Sequence, residues 1–354
     1  MNLVRDADAF LCVIPGRRIE KHGLKTVSRG KEATEMFQHP SIKARIGVLV
    51  SALMLACSMA IAAEPDEGVQ VLKFDRPANV ASMPENFRTN QSDFKRVHGD
   101  VYPTREGLEE LNDSGSSVFS KNEFQSLLKQ IPADKKDIVV VDLRDESHGY
   151  INGHAVSWYS RYKTFNKGLS AEQVMEREEA LLKAAQKAGT VEVAMQAKDK
   201  SNSFVAPIQV ESVMTEKELV ESQGAKYYRI PIMDYSAPTR ANIDQFVAFY
   251  KSLPKGTWLH FHCEAGVGRT TIALSMVDMI HNATKLSYDE IMTREVLLGG
   301  QDVRQSAATT TDPYKKVNYP KRAAFTQHFY DYAKAHPALD ITWSQWCDQQ
   351  GYDF

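Results

Sequence analysis

Residues 258 to 280 constrain what this chain can fold into more than any other stretch. Trp258-Leu-His-Phe261 reads as a buried strand, His262-Cys-Glu-Ala-Gly-Val-Gly-Arg-Thr270 as a glycine loop, and the apolar segment from Thr271 to Ile280 as a helix. A strand that passes through a glycine loop into a helix makes a phosphate cradle. Gly266 and Gly268 let the backbone turn tightly, so several N–H groups can aim at one anion, and the helix dipole adds positive potential at the same point. The loop differs from a nucleotide-binding loop because its first member, Cys263, is a thiol lying under the anion. Arg269 follows it at the right distance to fork two phosphate oxygens. Loop amides, helix terminus and arginine together favour an anionic, nucleophilic sulfur, and Thr270 can hydrogen-bond it and help it leave later. Glu264, Ala265, Gly266, Val267 and Gly268 supply the phosphate-binding backbone.

His-Cys, five residues, Arg and then Ser or Thr resembles the signature of the cysteine-dependent phosphatases at every fixed position, and the strand and helix around it are the context that motif needs. The alternative is an inert buried cysteine beside a helix-start loop. His262 is expected to hold the loop through a backbone hydrogen bond rather than to act as an acid or base.

The 354 residues suffice for one large domain or two ordinary ones. Cysteines at 12, 57, 263 and 347 show neither metal-ligand spacing nor a disulfide framework, so no metal site is expected. Lys43 and Arg45, the apolar run Ile46 to Ile61 and the small residues through Ala63 read as a secretory signal, too short to favour a lasting membrane span. Met36 stands at a normal distance upstream, which makes residues 1–35 a candidate mis-assigned start. A lipoprotein reading centred on Cys57 is the alternative. The expected division is therefore an N-terminal extension and signal over 1–63, a phosphatase domain over 64–354, and a periplasmic or secreted protein. Without residues 1–63 the chain keeps 34 Lys/Arg against 40 Asp/Glu, a net charge of −6. So acidic a chain points away from nucleic acid and must gather its positive charge locally to hold an anionic substrate.

Residues 64–119 carry clusters of Pro, Asn, Ser and Gly and suggest loops and short strands wrapped on a core. Ser120-x-x-Glu123, Ser170-x-x-Gln173 and Thr215-x-x-Glu218 are capping boxes that each start a helix. Ile138 to Val141 reads as a strand buried on both faces, followed by the polar stretch Asp142-Leu-Arg-Asp-Glu-Ser-His-Gly-Tyr150. Residues 190–214 alternate as short strands do, and Lys226 to Ile232 is another strand. A helix from about Ala241 to Leu253 leads to the phosphate cup. Beyond it come a helix near Leu286 to Leu297, a polar loop over 299–319, and a helix started by Pro320. Alternating strands and helices give a doubly wound α/β pattern, with its loops gathered at one sheet edge.

Thiolate attack on a phosphate ester leaves an alkoxide, which departs poorly without a proton. Asp234 is the candidate acid, because its loop follows the strand expected beside the one ending at His262. The rival reading makes Asp234 the cap of the next helix. Together the run 260–271, the stretch 142–150, Ala155 to Tyr159 and Trp343-Ser-Gln-Trp346 resemble the bacterial protein-tyrosine-phosphatase-like phytases over roughly residues 80–350. The resemblance implies a phosphatase core with a doubly wound sheet flanked by helices and a small β-barrel-like subdomain that is expected to include 190–214. It also implies stepwise hydrolysis of inositol hexakisphosphate through a phosphocysteine, with no cofactor. On it, Cys263 is the nucleophile, Arg269 the phosphate-binding arginine and Asp234 the general acid. Ala237 stands where that family's acid loop usually has Trp. Lys315, following Tyr314, is implied to hold phosphates remote from the scissile one. Lys316, Lys321, Arg322, Arg88 and Lys200 are further candidates. The competing functions are a protein-tyrosine or dual-specificity phosphatase and a non-catalytic phosphate-binding module.

Overall fold

The computed structural model describes residues 70–95, 102–196 and 203–353; the signal-like segment, Cys12, Cys57 and Lys200 lie outside the described residues. Two sheets organise them. The first contains β2 (Arg88–Thr89), β3 (Asp113–Ser117), β4 (Ile138–Arg144), β10 (Lys226–Ile232) and β11 (Trp258–Cys263) in the order β10-β4-β11-β3-β2. Its pairings are parallel except for the β2 edge. The second contains β1 (Val71–Arg76), β5 (His148–Ile151), β6 (His154–Tyr159), β7 (Thr190–Gln196), β8 (Ser203–Gln209) and β9 (Val213–Met214) in the order β8-β7-β1-β6-β5-β9. This is the mixed α/β architecture the sequence pointed to, and β7, β8 and β9 all lie in the second, six-stranded sheet.

Helices cover both faces of the parallel sheet. On one face lie α1 (Lys121–Gln130) and α3 (Glu216–Ser222), whose Phe124, Leu127 and Leu219 pack with Ile138, Val140 and Trp258. The helix α2 (Ala171–Ala188) places Leu182 against Ile151 and Val156 of the second sheet. The other face carries α4 (Arg240–Ser252), α5 (Arg269–Asn282), α6 (Tyr288–Leu298), α7 (Pro313–Ala335) and α8 (Trp343–Gln350). Trp343 is fully buried there among Phe325, Phe329, Tyr332 and Trp346. Each such aromatic pair adds about 0.5–1.5 kcal/mol beyond its buried area. The three capping boxes at Ser120, Ser170 and Thr215 all form, each closing two otherwise orphaned backbone donors.

Three elements depart from the sequence expectation. Asp113-Ser-Gly-Ser-Ser117 is a fully buried strand inside the parallel sheet, although nothing in its composition is apolar. Its hydroxyls are satisfied locally: Ser114 Oγ meets His260 Nδ1 at 2.9 Å and accepts from Trp258 Nε1 at 2.9 Å, and Ser117 Oγ donates to Val118 O at 3.0 Å. Small residues are needed because a Cβ on Gly115 would come within 2.6 Å of Thr270 Cγ2. Second, β4 does not stop at Val141 but runs on through Asp142 and Arg144 of the polar stretch, because both charges are paired inside the protein. Asp142 accepts from Tyr227 Oη at 2.8 Å and faces Arg229 at 2.8 Å, while Arg144 faces Asp75 at 3.2 Å and Glu146 at 3.0 Å. Third, the last long helix starts at Pro313 and not at Pro320, with Asp312 accepting from the amides of Tyr314 at 2.9 Å and Lys315 at 3.2 Å. An N-cap aspartate followed by proline is a strong start, and Pro320 costs that helix one internal hydrogen bond.

Candidate active site

The loop between β11 and α5 is shaped from outside. Its carbonyls are taken in succession by scaffold donors: Glu264 O by the amide of Val118 at 3.1 Å, Ala265 O by Asn86 Nδ2 at 2.8 Å, Gly266 O by Arg88 Nη1 at 2.8 Å, and Val267 O by the Thr271 hydroxyl. In a trans peptide the carbonyl and the following N–H point in opposite directions, so carbonyls pulled outward turn the amides of 265 to 268 inward. Gly266 has φ +72° and a Cβ there would lie 2.3 Å from the amide nitrogen of Ser117, so only glycine fits. At the base of the cup Cys263 is buried, and Thr270 Oγ1 donates to its sulfur at 3.2 Å.

Arg269 closes one wall. One edge of its guanidinium grips Glu146, with Nη1 to Oε2 at 2.7 Å and Nη2 to Oε1 at 3.0 Å, and Nη1 also donates to Ile232 O at 3.0 Å. Its Nε is buried without a hydrogen-bond partner, which leaves the Nε and Nη2 edge for an incoming anion. Burial opposes the charge on Glu146, but Arg269, Lys163 and Arg144 outweigh it and hold its carboxyl well below the usual range.

Asp234 follows β10 at the mouth of the cup. It does not cap α4, whose N-cap is Thr239 in a box with Asn242. Asp234 Oδ2 lies 2.5 Å from Lys163 Nζ and 3.5 Å from Arg269 Nη2. Burial pushes this carboxyl up, Arg269 and Lys163 pull it down more strongly, and the net direction is down. Lys163 also meets Glu264, and it stands 3.5 Å from Glu146. Glu264 pairs from its other oxygen with Lys73 of β1, so the side chain beside the nucleophile faces lysines rather than the cup.

The basic candidates separate by helix geometry. Lys315, Tyr319 and Arg322 share one face of α7 at spacings of four and three. Lys315 is half-buried with its ammonium 4.3 Å from the centre of the Tyr235 ring, beside Asp234. Arg322 is buried, its Nη2 lies 3.1 Å from where a Gly268 side chain would begin, and its Nε and Nη2 have no hydrogen-bond partner. Lys316 and Lys321 are exposed on the outer side of the helix, so the structure does not bring them to the cup. Arg88 is a scaffold residue. It is buried behind the loop, with donors committed to Asn86 O at 3.0 Å, Gly266 O and Thr271 Oγ1 at 3.0 Å.

The His262 ring makes no hydrogen bond to the loop backbone, contrary to the sequence expectation. Its Nε2 lies 2.6 Å from Glu216 Oε1, and the ring tilts on Phe119 at 5.0 Å. Glu216 belongs to a buried set with Asp142 and His148, whose donor atoms lie within 4.8 Å of one another. That set is spanned by cations of the chain: His148 Nε2 is 3.1 Å from both carboxylates and Arg229 is 2.8 Å from Asp142. Its donors already serve an imidazole and a guanidinium, which is a poor arrangement for a dication. Glu146 and Lys163 are the residues that reading the sequence missed. Glu146 stood inside the polar stretch after β4, whereas nothing local marked Lys163.

A family model for PTP-like phytases, described as inositol hexakisphosphate, matches residues 141–281. The solved PTP-like myo-inositol phosphatase from Mitsuokella multacida, in complex with myo-inositol-(1,3,4,5)-tetrakisphosphate, is 35% identical with a TM-score of 0.77, over 83% of this chain and 50% of that one. A PTP-like phytase from Bdellovibrio bacteriovorus is 29% identical with a TM-score of 0.62, over 80% of this chain and 97% of that one. Among curated proteins, the effector protein hopD2 of Pseudomonas syringae pv. tomato is 32% identical over 249 residues, 68% of this chain. The chain spans about half the length of that relative, 52%.

Proposed function

We propose, for a chain that belongs to the protein-tyrosine-phosphatase-like phytase family, that it removes phosphate from inositol polyphosphates through a phosphocysteine. The observation that carries the substrate class is Arg322: a buried guanidinium with unpartnered nitrogens at the rim of a cup that already has its own arginine. With Lys315 on the same helix face, it supports a ring bearing several phosphates better than a lone phosphomonoester.

The chemistry follows from the positions. The anion settles on the loop amides and the free edge of Arg269, and the Cys263 sulfur attacks phosphorus as the P–O bond breaks. Asp234 gives its proton to the departing oxygen. A dianion in the cup offsets the positive charge of Arg269 and repels a second carboxylate, so substrate itself favours the protonated Asp234 that the reaction needs. In the second step Asp234 takes a proton from water, oxygen attacks phosphorus, and the sulfur leaves with the Thr270 hydroxyl donating to it.

Ion chromatography of products from inositol hexakisphosphate, run beside a phosphotyrosine peptide panel, tests this reading. A descending ladder of inositol phosphates that Cys263→Ser abolishes is the expected result. Efficient peptide cleavage without a ladder would move the assignment to a protein phosphatase. From the basic flank, apolar run and small-residue exit of 43 to 63 we also infer export, with cleavage near Ala62 or Ala63. Mass spectrometry of the first residue of the protein from its host checks that; a chain retained with residues 43–63 in the cytoplasm would refute it.

A further inference from the structure

Lys163 belongs to no motif, yet its side chain is only 4% exposed, and it reaches carboxylates on three separate strand ends. These are Glu146 after β4, Asp234 after β10 and Glu264 after β11. We propose that Lys163 is a positioning residue for the phosphatase reaction: its ammonium ties the acid loop to the phosphate loop and holds the Asp234 carboxyl at the mouth of the cup. The inference rests on the phosphatase reading above.

The backbone is bent to deliver this lysine. Tyr162 and Lys163 both occupy the left-handed region, with φ of +61° and +56°, in a short 3-10 turn over Arg161–Lys163. Two consecutive non-glycine residues there are strained, and strain persists only where surroundings enforce it. The Tyr162 ring stacks on Tyr314 of α7 at 4.2 Å, its hydroxyl meets Asp312 at 3.3 Å, and the Lys163 amide donates to Ser160 O at 3.0 Å. The turn is thus anchored to the helix that carries Lys315 and Arg322. Without the ammonium, the Asp234 and Glu264 carboxylates it bridges would repel each other, and the acid loop would lose its direct tie to the loop beside Cys263.

Groups facing Asp234 include Lys163, Arg269 from α5, Arg322 from α7 and Glu146 from the β4 end. Loss of a neighbouring cation disfavours the carboxylate, so the variant retains its proton to higher pH. The experiment compares Lys163→Met and Lys163→Gln with wild type, each alone and combined with Asp234→Asn, on inositol hexakisphosphate and on p-nitrophenyl phosphate. Both single variants are expected to lose on the order of 10²-fold in kcat on the inositol substrate, the scale of a misplaced catalytic group. The aryl phosphate, whose phenolate needs little proton help, should lose far less and report that the fold is intact. The basic limb of kcat/KM should move to higher pH, and neither change should add to the effect of Asp234→Asn. An unmoved basic limb, or an equal further loss in the Asp234→Asn background, overturns the inference while leaving the phosphatase reading standing. An active Cys263→Ser would sink the phosphatase reading instead.

Discussion

Glu146 holds both terminal nitrogens of Arg269, at 2.7 and 3.0 Å, and so decides which edge of the guanidinium faces the cup. A free arginine would present its fork in many orientations; this one has a single edge left. Glu146→Gln keeps the volume but weakens the charge-assisted pair. It should raise KM and lower kcat together, for a combined loss in kcat/KM of roughly 10–100-fold, the range for residues that orient a first ligand. Steady-state kinetics on p-nitrophenyl phosphate measures it, and an unchanged KM would show that Arg269 is aimed by something else.

Gly266 and Gly115 bound the loop from two sides. Gly266→Ala meets a positive φ and backbone 2.3 Å away, so the loop must shift. Phosphatase activity should vanish, and a thermal melt should show a loss of about 1–3 kcal/mol. Gly115→Ala presses on Thr270 and Leu274 at 2.6 and 2.9 Å. It should disturb the Thr270 hydrogen bond to sulfur and slow turnover more than it lowers stability; full activity in this variant would count against that contact.

His148 couples the fold to alkaline pH. Burial, the first influence, opposes its charge, but Asp142 and Glu178 prevail and raise it from 6.5 to about 10. A group that binds its proton more tightly when folded contributes stability that is full below about 6.5 and is lost as pH rises through about 10. Denaturant melts of the wild type should therefore weaken across this window by an amount on the order of a few kcal/mol. His148→Gln should be less stable at pH 6 and flatter above it. Parallel slopes for the two proteins would remove His148 as the cause.

Lys315 and its neighbour Lys316 make a paired test. Lys315→Ala removes an ammonium from the cup side of α7 and should raise KM for inositol hexakisphosphate about tenfold or more, with little effect on p-nitrophenyl phosphate. Added salt should inhibit the larger substrate more steeply. Lys316→Ala, on the exposed side, should match wild type on both. Equal effects of the two substitutions would indicate a diffuse basic field rather than a placed contact.

The local chemistry of this protein is legible in its sequence. The strand, glycine loop and helix around Cys263, the three capping boxes, and the strand Lys226–Ile232 followed from periodicity and from side chains that satisfy nearby backbone groups. Such features depend on residues a few positions apart, so the sequence carries them whole. What it could not carry were relationships whose partners are far apart in the chain. Nothing apolar marks Asp113-Ser-Gly-Ser-Ser117 as a strand of the core, and it is His260 and Trp258 of the neighbouring strand that bond the Ser114 hydroxyl there. Arg88 looked like a free cation until the loop carbonyl of Gly266, 178 positions away, took its donor. Lys163 had no local mark at all, because its role exists only where Glu146, Asp234 and Glu264 converge at the ends of three strands. Buried charges are stable only when paired, and that pairing is set by packing distant segments together, so tertiary structure alone decided which polar residues serve the cup and which merely hold it in shape.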